Sequence, residues 1–272
     1  MGAERKKEAI SMDYECQNRT HNRVLLVTDI HYCDRVWHDA DCDTRANALV
    51  EALQRQMEER PYDLILCLGD YSLDFWAWEE GGSYVNAPHV SFTRKFIEQY
   101  VPRFPVKPYL IPGNHEQYGH EKWKQLTGCP RQFCVCYGDT LFVMCDTFGG
   151  NLDPTEHSDG TYTGIDPAFL RQALERHPDK QVILCMHDLI PEQESEEARA
   201  LICSHPNIRC AFAGHVHISE TILLDDSWRN LPLIHCGDFS YNLGSKRLNW
   251  GFQLLDLNKG FTTWYQKADR RL

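Results

Sequence analysis

The sequence predicts one α/β domain with a mixed pair of β-sheets, and three observations carry that expectation. From residue 23 onward, short apolar runs of strand length alternate with amphipathic segments of helical length. Five of those runs stop at a side chain able to bind metal: Asp29, Asp70, Asn114, His187 and His215. The C-terminal stretch ("TILL", "LIHCGD", "WGFQLLDL", "FTTWYQK") instead places strands in direct succession, as antiparallel hairpins do.

Residues 1–22 are polar, charged and aperiodic, and are expected to form a tail ahead of a domain spanning 23–272. "RVLLVTD" is the first strand and precedes a helix over 43–60, where Ala48, Leu49, Ala52, Leu53 and Met57 share a face. "YDLILCLGD" is the second strand, followed by a long loop and a helix near 92–100. "PYLIPGN" comes next, and then the hairpin "QFCVCYGDTLFVMCD", turning at Gly138-Asp139. A helix over 167–177 leads into "QVILCMHD", and one over 194–204 leads into "RCAFAGH". No repeat and no linker rich in Pro, Gly or Ser divides the chain.

With 272 residues there is material for a substantial core. A net charge of −11 argues against sequence-independent nucleic-acid binding, which needs basic surface. An anionic substrate stays open, because bound metal ions reverse the local field. Of twelve cysteines, Cys67, Cys145, Cys185 and Cys236 lie inside apolar runs and read as small buried hydrophobes. Cys129, Cys134 and Cys136 have no clear fourth ligand for zinc and read as packed or surface thiols. The first apolar stretch, "VLLV", is too short for a signal peptide, and nothing approaches the ~18 apolar residues of a membrane span. "MGAERK" lacks the hydroxyl residue of a myristoylation signal. A reduced, cytoplasmic setting without a membrane partner is expected.

The five strand ends are expected to converge on one edge of a sheet, where open α/β sheets bind their ligands. In extended chain, residues i and i+2 point the same way, so Asp29 and His31, and likewise His215 and His217, would face one pocket. Collected in order, the residues are "TDIH", "GD", "GNHE", "MHD" and "GHVH". This ordered set resembles the signature of the calcineurin-like metallophosphoesterases from about residue 24 to 217. Its form is most similar to the branch containing cyclic-nucleotide and glycerophosphodiester phosphodiesterases.

The resemblance implies a four-layer α/β/β/α sandwich, two packed mixed sheets flanked by helices, around two divalent metal ions. Mixed nitrogen and oxygen ligation admits Mn, Fe, Zn or Co. By correspondence, Asp29, His31, Asp70 and His217 would hold the first ion. Asp70 would bridge, and Asn114, His187 and His215 would complete the second. His115 would donate a proton to the leaving oxygen or contact a phosphate oxygen, with Glu116 orienting its imidazole. The implied reaction is in-line attack on phosphorus by a hydroxide that bridges the two ions. Two ions bring about +4 and two carboxylates about −2, so roughly +2 is left to attract a phosphoester.

Departures narrow the branch. Purple acid phosphatases carry a tyrosine three residues after the GD aspartate and lack the DxH histidine; here that position is Leu73, His31 is present, and Tyr71 should face away. "GDYSLD" sets Asp74 one residue later than the family's GDxxD spacing, which puts any inherited role for it in doubt. DNA-repair nucleases of the family use a similar metal set, but this acidic chain offers no basic surface. A non-catalytic interaction module on the same fold is the other alternative, against which all seven ligands and His115 are retained. The expected partner is a small phosphoester, with nucleotides among the candidates. Trp76, Trp78 and Tyr84, in the loop 74–89, are candidates to stack on a base or cover a leaving group. The segment 147–164 is expected to wall the other side, with His157 as a solvated loop residue. Asp238 ends a strand whose orientation the sequence leaves open.

Overall fold

In the computed structural model, the described residues are 13–17, 19–33, 36, 40–75, 91–154, 159–240, 250–258 and 260–268. Among these residues, twelve strands form two mixed sheets. The smaller contains β2 (Arg23–Val27), β3 (Leu64–Cys67), β4 (Pro108–Leu110), β11 (Gly251–Asp256) and β12 (Thr262–Lys267), in the order β12-β11-β2-β3-β4. The larger contains β1 (Asp13–Glu15), β5 (Phe133–Tyr137), β6 (Thr140–Met144), β7 (Gln181–Cys185), β8 (Ile208–Ala213), β9 (Ser219–Leu223) and β10 (Pro232–Cys236). Its order is β1-β5-β6-β7-β8-β10-β9.

Side-chain alternation accounts for the layers. Val135, Phe142, Met144, Ile183, Cys185, Phe212 and Ile234 point from the larger sheet into a cluster shared with β2, β3 and β11. Their neighbours Cys134, Cys136, Leu141, Val143, Val182, Leu184, Ala211 and Leu233 point the other way. That outer face is covered by α4 (Pro167–Arg176) and α5 (Glu196–Ser204), through Leu170, Ala173, Ala198 and Ile202. Helices α1 (Cys42–Glu59) and α2 (Phe92–Gln99) bury Ala46, Leu49, Leu53 and Phe96 in the cluster that holds the smaller sheet. The expected pair of mixed sheets flanked by helices is what forms, with the anticipated helices starting or ending within two residues of expectation.

Three differences have local causes. Residues 13–15, expected in the tail, form β1 alongside β5, and Tyr14 packs on Tyr109 and Phe133 with ring centroids 5.0 and 5.2 Å apart. So short and polar a strand has no period to read. Helix α3 (His120–Thr127) was not anticipated because Trp123 is its one buried residue; Gly128, at φ 75°, ends it in the left-handed conformation. The C-terminal strands do make two hairpins, β9–β10 and β11–β12, but in different sheets, and β10 also runs parallel to β8.

None of the twelve cysteines is in a disulfide, and eleven of them are buried. Among the described residues, no helix is long and apolar enough to cross a membrane.

Candidate metal centre

The strand ends converge, but from two sheets rather than along one edge. Thr28–His31 follows β2, Gly69-Asp70 follows β3 and Gly113–Glu116 follows β4; His187 follows β7 and His215–His217 follows β8. Beyond β2 and β3 the chain keeps pairing, since Asp29 N donates to Gly69 O (3.1 Å) and His31 N to Asp70 O (2.9 Å). Two glycines permit the closeness. A Cβ on Gly113 would sit 2.1 Å from Asp70 Oδ1, and one on Gly214 would sit 2.7 Å from Asp29 Oδ2. This is why Gly precedes both Asn114 and His215.

The paired spacing does not work through extended chain. Asp29, His31, Asp70, His215 and His217 have φ of 55°, 48°, 56°, 63° and 56°, all left-handed. Both members of each i, i+2 pair share that conformation, so both still turn toward the site, for a different reason than strand alternation. Left-handed backbone costs about 1–2 kcal/mol per non-glycine residue, and five such residues in one place mark a site whose geometry is held at some expense.

Among the described residues, the side chains form three groups with converging donor atoms: Asp29, His31 and His217; His31, Asp70 and His115; Asp70, His187 and His215. His217 Nε2 lies 3.1 Å from Asp29 Oδ1. Asp70 Oδ2 lies 3.1 Å from both His31 Nε2 and His187 Nε2, so one carboxylate joins the groups. Asn114 Oδ1 is 3.0 Å from His187 Nε2 and 3.1 Å from His215 Nδ1. The seven ligand candidates are thereby brought together.

His187 shows what the chemistry of the centre calls for. Its Nδ1 lies 2.7 Å from the carbonyl of Leu68, an acceptor, so Nδ1 carries a hydrogen. In the neutral ring, Nε2 is then a lone pair facing two more acceptors, Asp70 Oδ2 and Asn114 Oδ1. Three acceptors meeting in a buried space need a cation. Burial opposes protonation, but Asp70 and Asp29 outweigh it and push the His187 pKa up to about 10. A proton can meet that need, and a divalent ion fits the same imidazole, carboxylate and amide donors. His31 behaves differently: burial dominates and holds it down to about 4, ready to ligate as a neutral ring. Asp29 is pushed up by burial, but His217 reverses that and holds it at about 2.

Glu116 corrects an expectation. It is fully buried, and its carboxylate is occupied by backbone: Oε2 accepts from Asp70 N (2.8 Å) and Gly113 N (3.0 Å), Oε1 from Tyr71 N (2.9 Å) and Ser72 N (3.1 Å). It fastens the β3 loop to the β4 loop. The imidazole of His115 faces Asp159 instead, Nδ1 to Oδ1 at 3.2 Å, while its Nε2 points to Asp70 Oδ2 at 3.7 Å. Burial lowers the His115 pKa, but Asp70 and Asp159 outweigh it and raise it overall. Asp159 belongs to no motif, so nothing in the sequence marked it. Asp238 lies on the inner side, buried with Oδ2 unpartnered among the described residues; burial pushes its carboxyl up to about 8. Ser240 meets His31 Nδ1 at 3.1 Å.

Asp74 takes a structural part: it accepts from Phe92 N, Thr93 N (3.1 Å) and Ser91 Oγ (2.9 Å) at the start of α2. Tyr71 faces the core as expected, its hydroxyl donating toward Ile111 O at 2.7 Å. The segment 147–164 does wall the site where it is described: Phe148 packs on His187 and His215 (centroids 5.7 and 5.9 Å), and Gly160 N donates to Asn114 O at 2.8 Å. Behind it, buried Arg131 pairs with Asp146 at 2.6 Å and donates to Glu116 O, Tyr118 O and Phe148 O, joining the two loops. Trp76, Trp78, Tyr84 and His157 lie outside the described residues.

Two mixed sheets thus bring to their facing ends acidic and imidazole groups that could hold metal. A family model described as calcineurin-like phosphoesterase matches residues 22–219, and the chain belongs to that family. Among solved structures, it is similar to GAP50, the anchor in the inner membrane complex of Plasmodium, at 11% identity with a TM-score of 0.52. That alignment covers 91% of this chain and 85% of the other, a likeness of fold. No curated protein matches the chain in sequence.

Proposed function

We propose that the protein is a binuclear metal-dependent phosphohydrolase acting on a small phosphodiester or phosphomonoester. The observation that carries this reading is Asp70 shared between two donor sets. Asp29, His31 and His217 would hold one ion, Asn114, His187 and His215 the other, with Asp70 common to both. When bound, the ions would supply an activated nucleophile and positive charge to offset that developing on the phosphoryl oxygens. The chain's own residues do the rest. Nδ1–H of His187, fixed by Leu68 O, keeps Nε2 turned inward. His115, 13% exposed at its side chain and held by Asp159, stands at the mouth with a proton to give to the leaving oxygen. Phe148 shields the imidazoles of His187 and His215 from solvent on one side.

The motif order supports the phosphodiesterase branch, with nucleotides as candidate substrates. Twelve cysteines outside any disulfide support a reducing compartment such as the cytoplasm. Asn114→Ala and His217→Ala each remove a donor and are expected to abolish hydrolysis of bis(p-nitrophenyl) phosphate by the Mn- or Zn-loaded protein, with the fold kept. Turnover unchanged in both variants refutes the reading.

A further inference from the structure

The chain beyond β10 reaches back to the Thr28–His31 segment from outside the stretch matched by the family model, which ends at residue 219. Phe239 N donates to Asp29 O at 3.2 Å. One residue on, Ser240 Oγ lies 3.1 Å from His31 Nδ1, in a contact closed to solvent, since the two residues are 0% and 1% exposed. Ser240 is itself fixed by its backbone. Its N–H donates to Asp238 Oδ1 at 3.2 Å, and its carbonyl accepts from Trp250 Nε1 at 2.9 Å. Trp250 in turn stacks on Phe239, with ring centroids 5.7 Å apart. The hydroxyl is thereby held against one particular ring nitrogen.

The other nitrogen is the one turned to the centre. His31 Nε2 lies 3.1 Å from Asp70 Oδ2 and 4.0 Å from Asp29 Oδ1. A neutral imidazole carries its hydrogen on one nitrogen or the other. Nε2 can give a lone pair to an ion only when that hydrogen sits on Nδ1, and a buried Nδ1–H needs an acceptor. For His187 the acceptor is Leu68 O. A carbonyl can only accept, whereas a hydroxyl accepts or donates and so meets the ring in either tautomer.

We propose that Ser240 is a positioning residue for the ion at Asp29, His31 and His217: its hydroxyl accepts the Nδ1 hydrogen of His31 and leaves Nε2 free to ligate. The proposal rests on the function proposed above and ties one of its two ions to a serine that belongs to none of the family's motifs. Replacing Ser240 by Ala deletes the acceptor and keeps the backbone bonds of residues 238–240.

The test uses the full chain, loaded with Zn and carrying 15N in its histidine rings. Long-range 1H–15N correlation reports which nitrogen of each ring holds hydrogen, and His31→Gln identifies the His31 signals. Wild type is expected to carry hydrogen on Nδ1 of His31, exchanging slowly with solvent; in Ser240→Ala that exchange should be several-fold faster. Zn affinity is read by competition with a chelating indicator. Ser240→Ala should weaken one of the two ions by about 10–100-fold and leave the other unchanged. Ser240→Thr keeps the hydroxyl and should restore most of the affinity, which a larger side chain would not do for a packing defect. Thermal melting of the chelated proteins checks that the variants are folded. Should Thr not fit, Ser240→Cys, close to serine in shape but a weaker acceptor, should fall between wild type and Ser240→Ala. Hydrogen on Nε2 of His31 in the loaded protein, equal affinities in wild type and Ser240→Ala, or both ions weakened alike, overturns the positioning role while a wild type with two ions still stands. A wild type that retains no Zn overturns the proposed function and this role together.

Discussion

Glu116→Gln separates two roles that the GNHE motif alone leaves open. The side chain keeps its shape, so packing is preserved. The carboxylate accepts four backbone N–H groups at 2.8–3.1 Å, two per oxygen. Glutamine retains one oxygen and sets an NH2 group against the other two donors. Two buried N–H groups lose their acceptor, at about 1–3 kcal/mol each, so the loss is about 2–6 kcal/mol. Set against a typical 5–15 kcal/mol of total stability, this is a large fraction. Urea unfolding of the chelated protein, monitored by circular dichroism, reads it without interference from metal affinity. If Glu116 served chiefly to orient His115, stability would hardly change and turnover alone would fall. A midpoint shift worth less than about 0.5 kcal/mol, the size of an ordinary surface substitution, would refute the fastening role.

Other perturbations bear on neighbouring parts. Arg131→Met leaves Asp146 buried without its partner and should cost about 3–5 kcal/mol in urea unfolding; a neutral outcome would mean that the pair does not secure the loops. His115→Ala should lower kcat by about 10²–10⁴-fold with metal content unchanged, and Asp159→Asn by part of that; loss of metal in either would make His115 a ligand instead. The metal-free protein should show opposed pH effects. His31, held at about 4 against 6.5 when unfolded, leaves the unfolded chain binding more protons between those values, so stability rises with pH there. His187, raised to about 10, stabilises fully below 6.5 and loses that contribution as pH climbs toward 10. Melting temperature against pH in chelator should therefore rise and then fall, and saturating metal should remove the alkaline decline. A monotonic rise to pH 10 without metal would contradict the His187 assignment.

How far the site could be read from sequence depends on whether each interaction leaves a pattern. The strand-end ligand candidates did, because each apolar run is followed closely by a polar residue at the point where the sheet delivers it. The glycines of "GNHE" and "GHVH" carry their reason in a contact with Asp70 and Asp29 that only three dimensions display. Spacing identified the pairs Asp29/His31 and His215/His217, but strand alternation was the wrong cause, since left-handed backbone gives the same spacing. Asp159 and Asp146 were not legible, because their partners His115 and Arg131 lie 44 and 15 residues away in no fixed register. Helix α3 and strand β1 escaped because one buried side chain, or three polar residues, carry no period.

Metal stoichiometry tests the centre most directly. The purified chain, reconstituted with Mn or Zn and freed of excess by gel filtration, should hold two ions by elemental analysis. His187→Ala and His217→Ala should each bring the count toward one, by emptying opposite sides of Asp70. A wild-type count of one or none, or two ions retained in both variants, would contradict a binuclear centre.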